Sequence, residues 1–192
     1  MAKIQEKRIT YFNAEGPGNT DKALDIAVAF CRAGNIKKIV VASSSGGTAL
    51  KLKDKAGEAI QVIAVTYGAG SRFTEEVEAF NNNYEKLQSK GIATVRGVHA
   101  LSGAERAFEN RYKTGFMPLN LVADTLRMFS QGMKVCVEVS TMAAEAGYIT
   151  PREDVVVLGG SGEGADTAVL MKPGYAANIF DIKIREVLCM PR

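Results

Sequence analysis

A chain of 192 residues that is 46% apolar and 23% charged has a globular composition and enough length for one domain-sized core. Its formal net charge of +3 is too small to argue for nucleic acid, and no apolar run approaches the ~20 residues that span a bilayer. The charged start MAKIQEKR lacks the apolar stretch of a secretory signal, so a cytoplasmic location is expected, with neither nucleic-acid nor membrane partners.

The whole chain, residues 1–192, reads as a single α/β domain with an N-terminal arm, 1–19, packed on it. Within the arm, Tyr11 to Thr20 is rich in turn formers; it is either a lead-in loop or a segment whose aromatics and Asn13 fold over a nearby site. Leu24, Ala27, Val28 and Cys31 then recur at helical spacing, with Asn19 or Thr20 as cap and Gly34 as stop. Ile39 to Ala42 forms a short strand that ends in serines and glycines, and an Ala/Leu/Lys run of high helix propensity follows. Ile60 to Thr66 is a near-continuous apolar run, as in a strand buried on both faces. Phe73 to Lys90 predicts a helix with Thr74 as cap, Glu75 and Glu76 in its first turn, and Val77, Phe80, Tyr84 and Leu87 on one face; Gly91 closes it.

Ile92 to His99 is shorter and more polar, as edge strands often are. Ser102 with Glu105 fits a capping box for a short helix over Gly103 to Tyr112. Pro118 opens a further helix over Leu119 to Ser130, marked by Leu121, Val122, Leu126 and Phe129. Met133 to Ala146 begins with strand-like alternation at Val135, Val137 and Val139, yet Val135, Val139, Met142 and Ala146 make a helical stripe, and a helix is expected. Asp154 to Leu158 is a buried strand running into Gly159 to Gly164, and strands over Asp166 to Met171 and Asp181 to Met190 complete the chain. The cysteines, Cys31, Cys136 and Cys189, sit in apolar patterns and predict buried thiols in a reducing compartment; one histidine, His99, is too few for a zinc site, and no metal is expected.

Strand, glycine-serine loop and helix together suit an anion, because the first N–H groups of a helix have no internal partner and glycine lets a ligand approach. Ser43, Ser44, Ser45, Gly46, Gly47 and Thr48 are therefore candidate phosphate-binding residues. The same stretch also fits a plain turn in which Ser44 or Ser45 caps the helix. It is not a Walker A loop, since no Gly-Lys-Ser/Thr is present. If the strands are parallel neighbours, the loop that begins Thr66, Tyr67, Gly68 emerges beside it. The second glycine loop, Gly159, Gly160, Ser161, Gly162, Glu163 and Gly164, does not match the Rossmann fingerprint and alone suits a hairpin. Two such loops after buried strands point to a phosphorylated ligand at the carboxyl edge of the sheet. No catalytic residue is identifiable: His99 has no evident carboxylate partner, and Ser44 and Ser45 have no evident base.

The run IVVASSSGGTALKLKD followed by IQVIAVT, and the final VVVLGGSGEGADTAVLM, resemble the C-terminal domain of pyruvate kinase. The chain more closely resembles stand-alone prokaryotic, mostly archaeal, pyruvate kinase alpha/beta domain proteins, through Asn19-Thr20, Asp166-Thr167-Ala168 and Met190-Pro191-Arg192. The resemblance implies a three-layer fold around a mostly parallel sheet of order 3-2-1-4-5 with a last antiparallel strand. It also implies that the serine loop holds a phosphate and the late glycine loop closes over the rest of the ligand. The stand-alone relatives resemble flavin mononucleotide (FMN) binders, which would put the phosphate of that cofactor on the serine loop and its ring toward Tyr67, Phe73 or the Tyr11/Phe12 arm. Kinase chemistry belongs to a separate barrel of ~250 residues, for which this length leaves no room, so complete pyruvate kinase activity is not expected. A flavin-dependent oxidoreductase is one expectation, with a homo-oligomer allowed. A non-catalytic module that senses a phosphorylated metabolite or directs assembly is the alternative.

Overall fold

A computed structural model describes residues 4–113 and 115–192, so residues 1–3 of the arm and residue 114 fall outside the described residues. The elements in chain order are β1 (Thr10–Phe12), α1 (Thr20–Gly34), β2 (Lys38–Ala42), α2 (Gly47–Ala56), β3 (Gln61–Thr66), α3 (Thr74–Ser89), β4 (Ala93–Arg96), α4 (Glu105–Tyr112), α5 (Pro118–Arg127), α6 (Gln131–Glu145), β5 (Val155–Gly159), β6 (Thr167–Lys172) and β7 (Lys183–Pro191). One sheet of seven strands runs β1-β7-β6-β5-β2-β3-β4. Its middle carries the expected order: β4, β3, β2 and β5 are mutually parallel neighbours, and β6 follows antiparallel to β5. Beyond β6 the sheet continues, because β7 turns back antiparallel to β6 and β1 adds to β7 in parallel.

The strands are apolar on both faces because helices cover both. Ile39, Val41, Val62, Ala64, Val156 and Leu158 point to the layer made by α1, α2 and α3. Their neighbours Val40, Ile63, Val65, Val155 and Val157 point to α5 and α6. On the first side the helical stripe Leu24, Ala27, Val28, Cys31 is buried as its spacing requires, and Phe80 and Leu87 of α3 are fully covered. Burying side chains of this size stabilises the fold by about 1.5–3 kcal/mol each. All three cysteines are buried free thiols, and burial pushes Cys31 and Cys189 up to about 12.

The ambiguous segment after Gly132 is a helix, α6, and its first three turns are covered on nearly every side, from Gly132 to Ala144. Its alternating valines therefore reflect burial all round, not a strand face. Gly132 is where it meets the sheet: a Cβ there would collide with Thr167 Oγ1 and lie 2.7 Å from Asp166 Oδ1.

Several local expectations give way to other contacts. The Tyr11 end of the arm is not loop but strand, with Thr10 opposite Cys189 and Phe12 opposite Pro191. Asn19 donates to Ala14 O at 2.7 Å and does not cap α1, while the Thr20 hydroxyl accepts from Ala165 N at 3.0 Å. Thr74 opens α3 without capping it; the Ser71 hydroxyl accepts from Phe73 N at 3.2 Å. Tyr84, expected on the covered face of α3, is exposed. Ser102 and Glu105 form no capping box, since α4 starts at Glu105 and that carboxylate instead accepts from Leu119 N at 3.1 and 3.3 Å, holding the start of α5. On α5 itself Val122, Ala123 and Leu126 face the core, whereas Leu121 is 57% exposed; Phe129, expected within this helix, lies past its end and is 62% exposed.

Candidate functional site

At the carboxyl edge of the parallel strands, the loops after β2, β3, β4 and β5 surround a cavity of about 420 Å³, with α4, α5 and α6 forming its far wall. This lies within the ~300–1,000 Å³ typical of small-molecule sites. The parallel pairing of β2 with both β3 and β5 is what brings the glycine loops to one edge.

The serine loop contributes Ser43, Ser44 and Thr48 to the wall. Gly46 caps α2 in a left-handed conformation, φ 87°, and a Cβ there would stand 3.0 Å from Leu87. That close approach turns Ser45, Gly46 and Gly47 away from the cavity and toward α3, where Asn83 donates to Ser45 O at 2.9 Å. Two hydroxyls serve the first turn of the helix: Ser43 accepts from Ala49 N at 3.2 Å and Ser45 accepts from Gly47 N, its first amide, at 3.4 Å, whereas Ser44 takes no part. Among the described residues, no acceptor is paired with the Thr48 amide, and the Ser44 hydroxyl is likewise unengaged. Thr66 donates to Ser44 O at 3.0 Å, tying the β3 loop to the serine loop.

Tyr67 lines the wall, whereas Gly68 backs onto Gly97, so closely that a Cβ at Gly68 would stand only 2.9 Å from the Gly97 carbonyl oxygen. The Tyr67 ring is held between Phe73, 4.9 Å away and tilted 23°, and His99, 5.4 Å away and tilted 12°. Burial first, then the charges of Glu76 and Glu138, raise its pKa, so the phenol stays neutral at neutral pH. Tyr11 and Phe12 belong to β1 at the far edge of the sheet and do not reach this stack.

Of the late loop, Gly160, Gly162, Glu163 and Gly164 face the cavity. Gly159 ends β5 against α6, with a Cβ there only 2.5 Å from Gly132 O, and the Ser161 hydroxyl is buried without a partner among the described residues. Asp166, fully buried, gathers this loop to the arm by accepting from Gly16 N at 3.0 Å, Ser161 N at 3.2 Å and the Thr167 hydroxyl at 2.9 Å.

The wall opposite holds residues that the motifs do not mark. His99 Nδ1 lies 3.2 Å from Glu138 Oε2, and Lys134 Nζ lies 2.6 Å from the same oxygen. Leu101 N also donates to Glu138, at 3.4 Å. Burial alone would raise the Glu138 carboxyl, but the His99 hydrogen bond and the Lys134 charge outweigh it and hold the group at about 2. Arg72 and Arg106 line the cavity as well and, among the described residues, neither forms an ion pair; Arg127 is held by Asp124 at 2.6 Å. One signal for this wall was present in the chain: Lys134 and Glu138 stand four residues apart in a helix otherwise nearly free of charge.

Among the described residues no group of acidic, histidine and cysteine side chains is arranged to hold a metal ion, and no helix is long and apolar enough to cross a membrane. The model of the pyruvate kinase, alpha/beta domain, matches residues 21–172, from the first turn of α1 to the end of β6, and so includes every loop around the cavity. This chain belongs to the pyruvate kinase alpha/beta domain family.

Proposed function

We propose that the cavity binds a phosphorylated small molecule the size of FMN, with the phosphate at Ser44 and Thr48 and the remainder toward Tyr67, Phe73 and the late glycine loop. The observation that carries this reading is the convergence on one cavity of the α2 N-terminus, two cations without ion-pair partners among the described residues, Arg72 and Arg106, and an aromatic stack. A helix N-terminus favours an anion by about 0.3–1 kcal/mol, and the unpaired Thr48 amide supplies a donor directed by the backbone. Micromolar binding takes about −8 kcal/mol, so a phosphate contact needs help from ring or sugar contacts. Phe73 is 36% exposed, with the Arg72 guanidinium 5.1 Å from its ring centre, so a ligand contact there would share the ring with Arg72.

These residues fit FMN: donors and cations for its phosphate, an aromatic surface for its ring and a cavity of suitable volume. When bound, a flavin supplies one- and two-electron transfer. The protein's part is to hold the phosphate, exclude water through the loops and present Tyr67 as a neutral hydroxyl.

Absorbance of the purified protein, followed by mass spectrometry of what acid releases, tests for a resident flavin. Titration with FMN, read by quenching of its fluorescence, tests the site. Thr48→Glu places a carboxylate where the phosphate belongs, in a first helical turn that tolerates acids, so affinity should fall at least tenfold with the melting temperature nearly unchanged. Equal affinity of the variant and the parent for FMN would move the phosphate elsewhere.

A further inference from the structure

We propose that His99 is a catalytic proton carrier in this cavity, oriented by Glu138, and that its substrate is a phosphorylated aldehyde or ketone with a C–H bond next to the carbonyl. The inference rests on the reading of the cavity as a phosphorylated-ligand site. His99 lies in the loop after β4 and has its Nδ1 edge turned to the Glu138 carboxylate at 3.2 Å. The carboxylate is itself immobile, 3% exposed and gripped by Lys134 and the Leu101 amide. A carboxylate on Nδ1 fixes the proton there and leaves Nε2 as the basic edge, the division of labour by which histidine serves as general base. The ring stacks on Tyr67, which fixes its plane, and its side chain is 30% exposed on the wall of the cavity.

The charges around the ring suit the chemistry. Glu138 and Lys134 face it from α6, Tyr67 from the end of β3, and Arg72 and Arg106 share the cavity wall. Arg96 and Glu145 flank the other side of the His99 loop, where a second cavity opens. Proton removal proceeds as follows: Nε2 takes the proton from carbon, the C–H electron pair becomes the carbon–carbon π bond of an enolate (an enediolate where that carbon bears a hydroxyl, as in dihydroxyacetone phosphate), and the carbonyl π pair moves to oxygen. Arg72 and Arg106 are the cations available to that oxyanion. Return of a proton from the imidazolium to the same carbon regenerates the carbonyl compound, so the step needs no oxidant or reductant. The imidazolium formed in between is stabilised by Glu138, which stays ionised because burial is outweighed by His99 and Lys134.

The test is deuterium uptake from D₂O into dihydroxyacetone phosphate, read by proton NMR, with calorimetric binding of the same compound measured alongside. Uptake should exceed the buffer rate, be lost with unphosphorylated dihydroxyacetone, be inhibited by FMN and fall about 100-fold in His99→Gln while binding persists. Glu138→Gln should lower the rate and displace its pH profile, a displacement that a purely structural role would not produce. Nitrogen-15 NMR of the native protein covers the case in which that variant does not fold: the neutral ring should carry its proton on Nδ1. Binding without uptake, uptake unchanged in His99→Gln, or a proton on Nε2 would each overturn the role of His99 and leave the binding reading intact. No binding of either dihydroxyacetone phosphate or FMN would overturn the binding reading itself.

Discussion

Glu138 shows how much one buried charge asks of its neighbours. Its carboxyl is lower in the folded chain, at about 2, than the ordinary 4.5, so it contributes stability that is complete above pH 4.5 and is lost as pH falls through 2. The difference corresponds to on the order of 3 kcal/mol. Urea unfolding of the parent and of Glu138→Gln should therefore show a gap that narrows between pH 4.5 and 2, and a constant gap across that window would count against the ion cluster as its source. The loop residues around the cavity were partly legible from sequence: Ser44, Thr48, Tyr67 and Gly160, singled out by the motifs, all line it. Ser45, Gly46 and Gly47 do not, because the left-handed turn at Gly46 packs that stretch against Leu87 and Asn83. His99 and Glu138 lie far apart in the chain, and nothing local in either predicts that β4 and α6 bring them to 3.2 Å.

Among the elements, long apolar patterns were legible and caps were not. α1, α3 and α6 form where periodicity puts them, since a covered face requires apolar residues at helical spacing. A cap is one hydrogen bond, for which a distant partner competes on equal terms. Glu105 is the instance: it sits at the start of α4 yet serves the start of α5, through Leu119 N. Removing it in Glu105→Ala should destabilise α5 by about 1 kcal/mol. Hydrogen exchange should be faster at the first amides of α5 and unchanged in α1; no change at α5 would show that Pro118 and packing suffice. α5 carries Arg127 and α4 carries Arg106, so this carboxylate also steadies one wall of the cavity.

At the scale of the molecule, the family order of the central strands was legible, whereas the extension of the sheet by β1 was hidden. Three residues of strand carry too little pattern to be read, and pairing with β7 decides their conformation. Asp166 then ties the arm to the late glycine loop, with Gly16 and Ser161 sharing one carboxylate oxygen. Asp166→Ala should raise proteolytic cleavage in the arm and in the late loop together, since both lose the same partner; cleavage rising in only one would separate the two. The pairing of Thr10 with Cys189 has a consequence for biosynthesis. A long stretch of polypeptide lies between these residues, so β1 has no companion until β7 has left the ribosome. Closing so long a loop carries an entropic cost that contacts made elsewhere must already offset, and β1 therefore docks late, onto a sheet largely assembled without it.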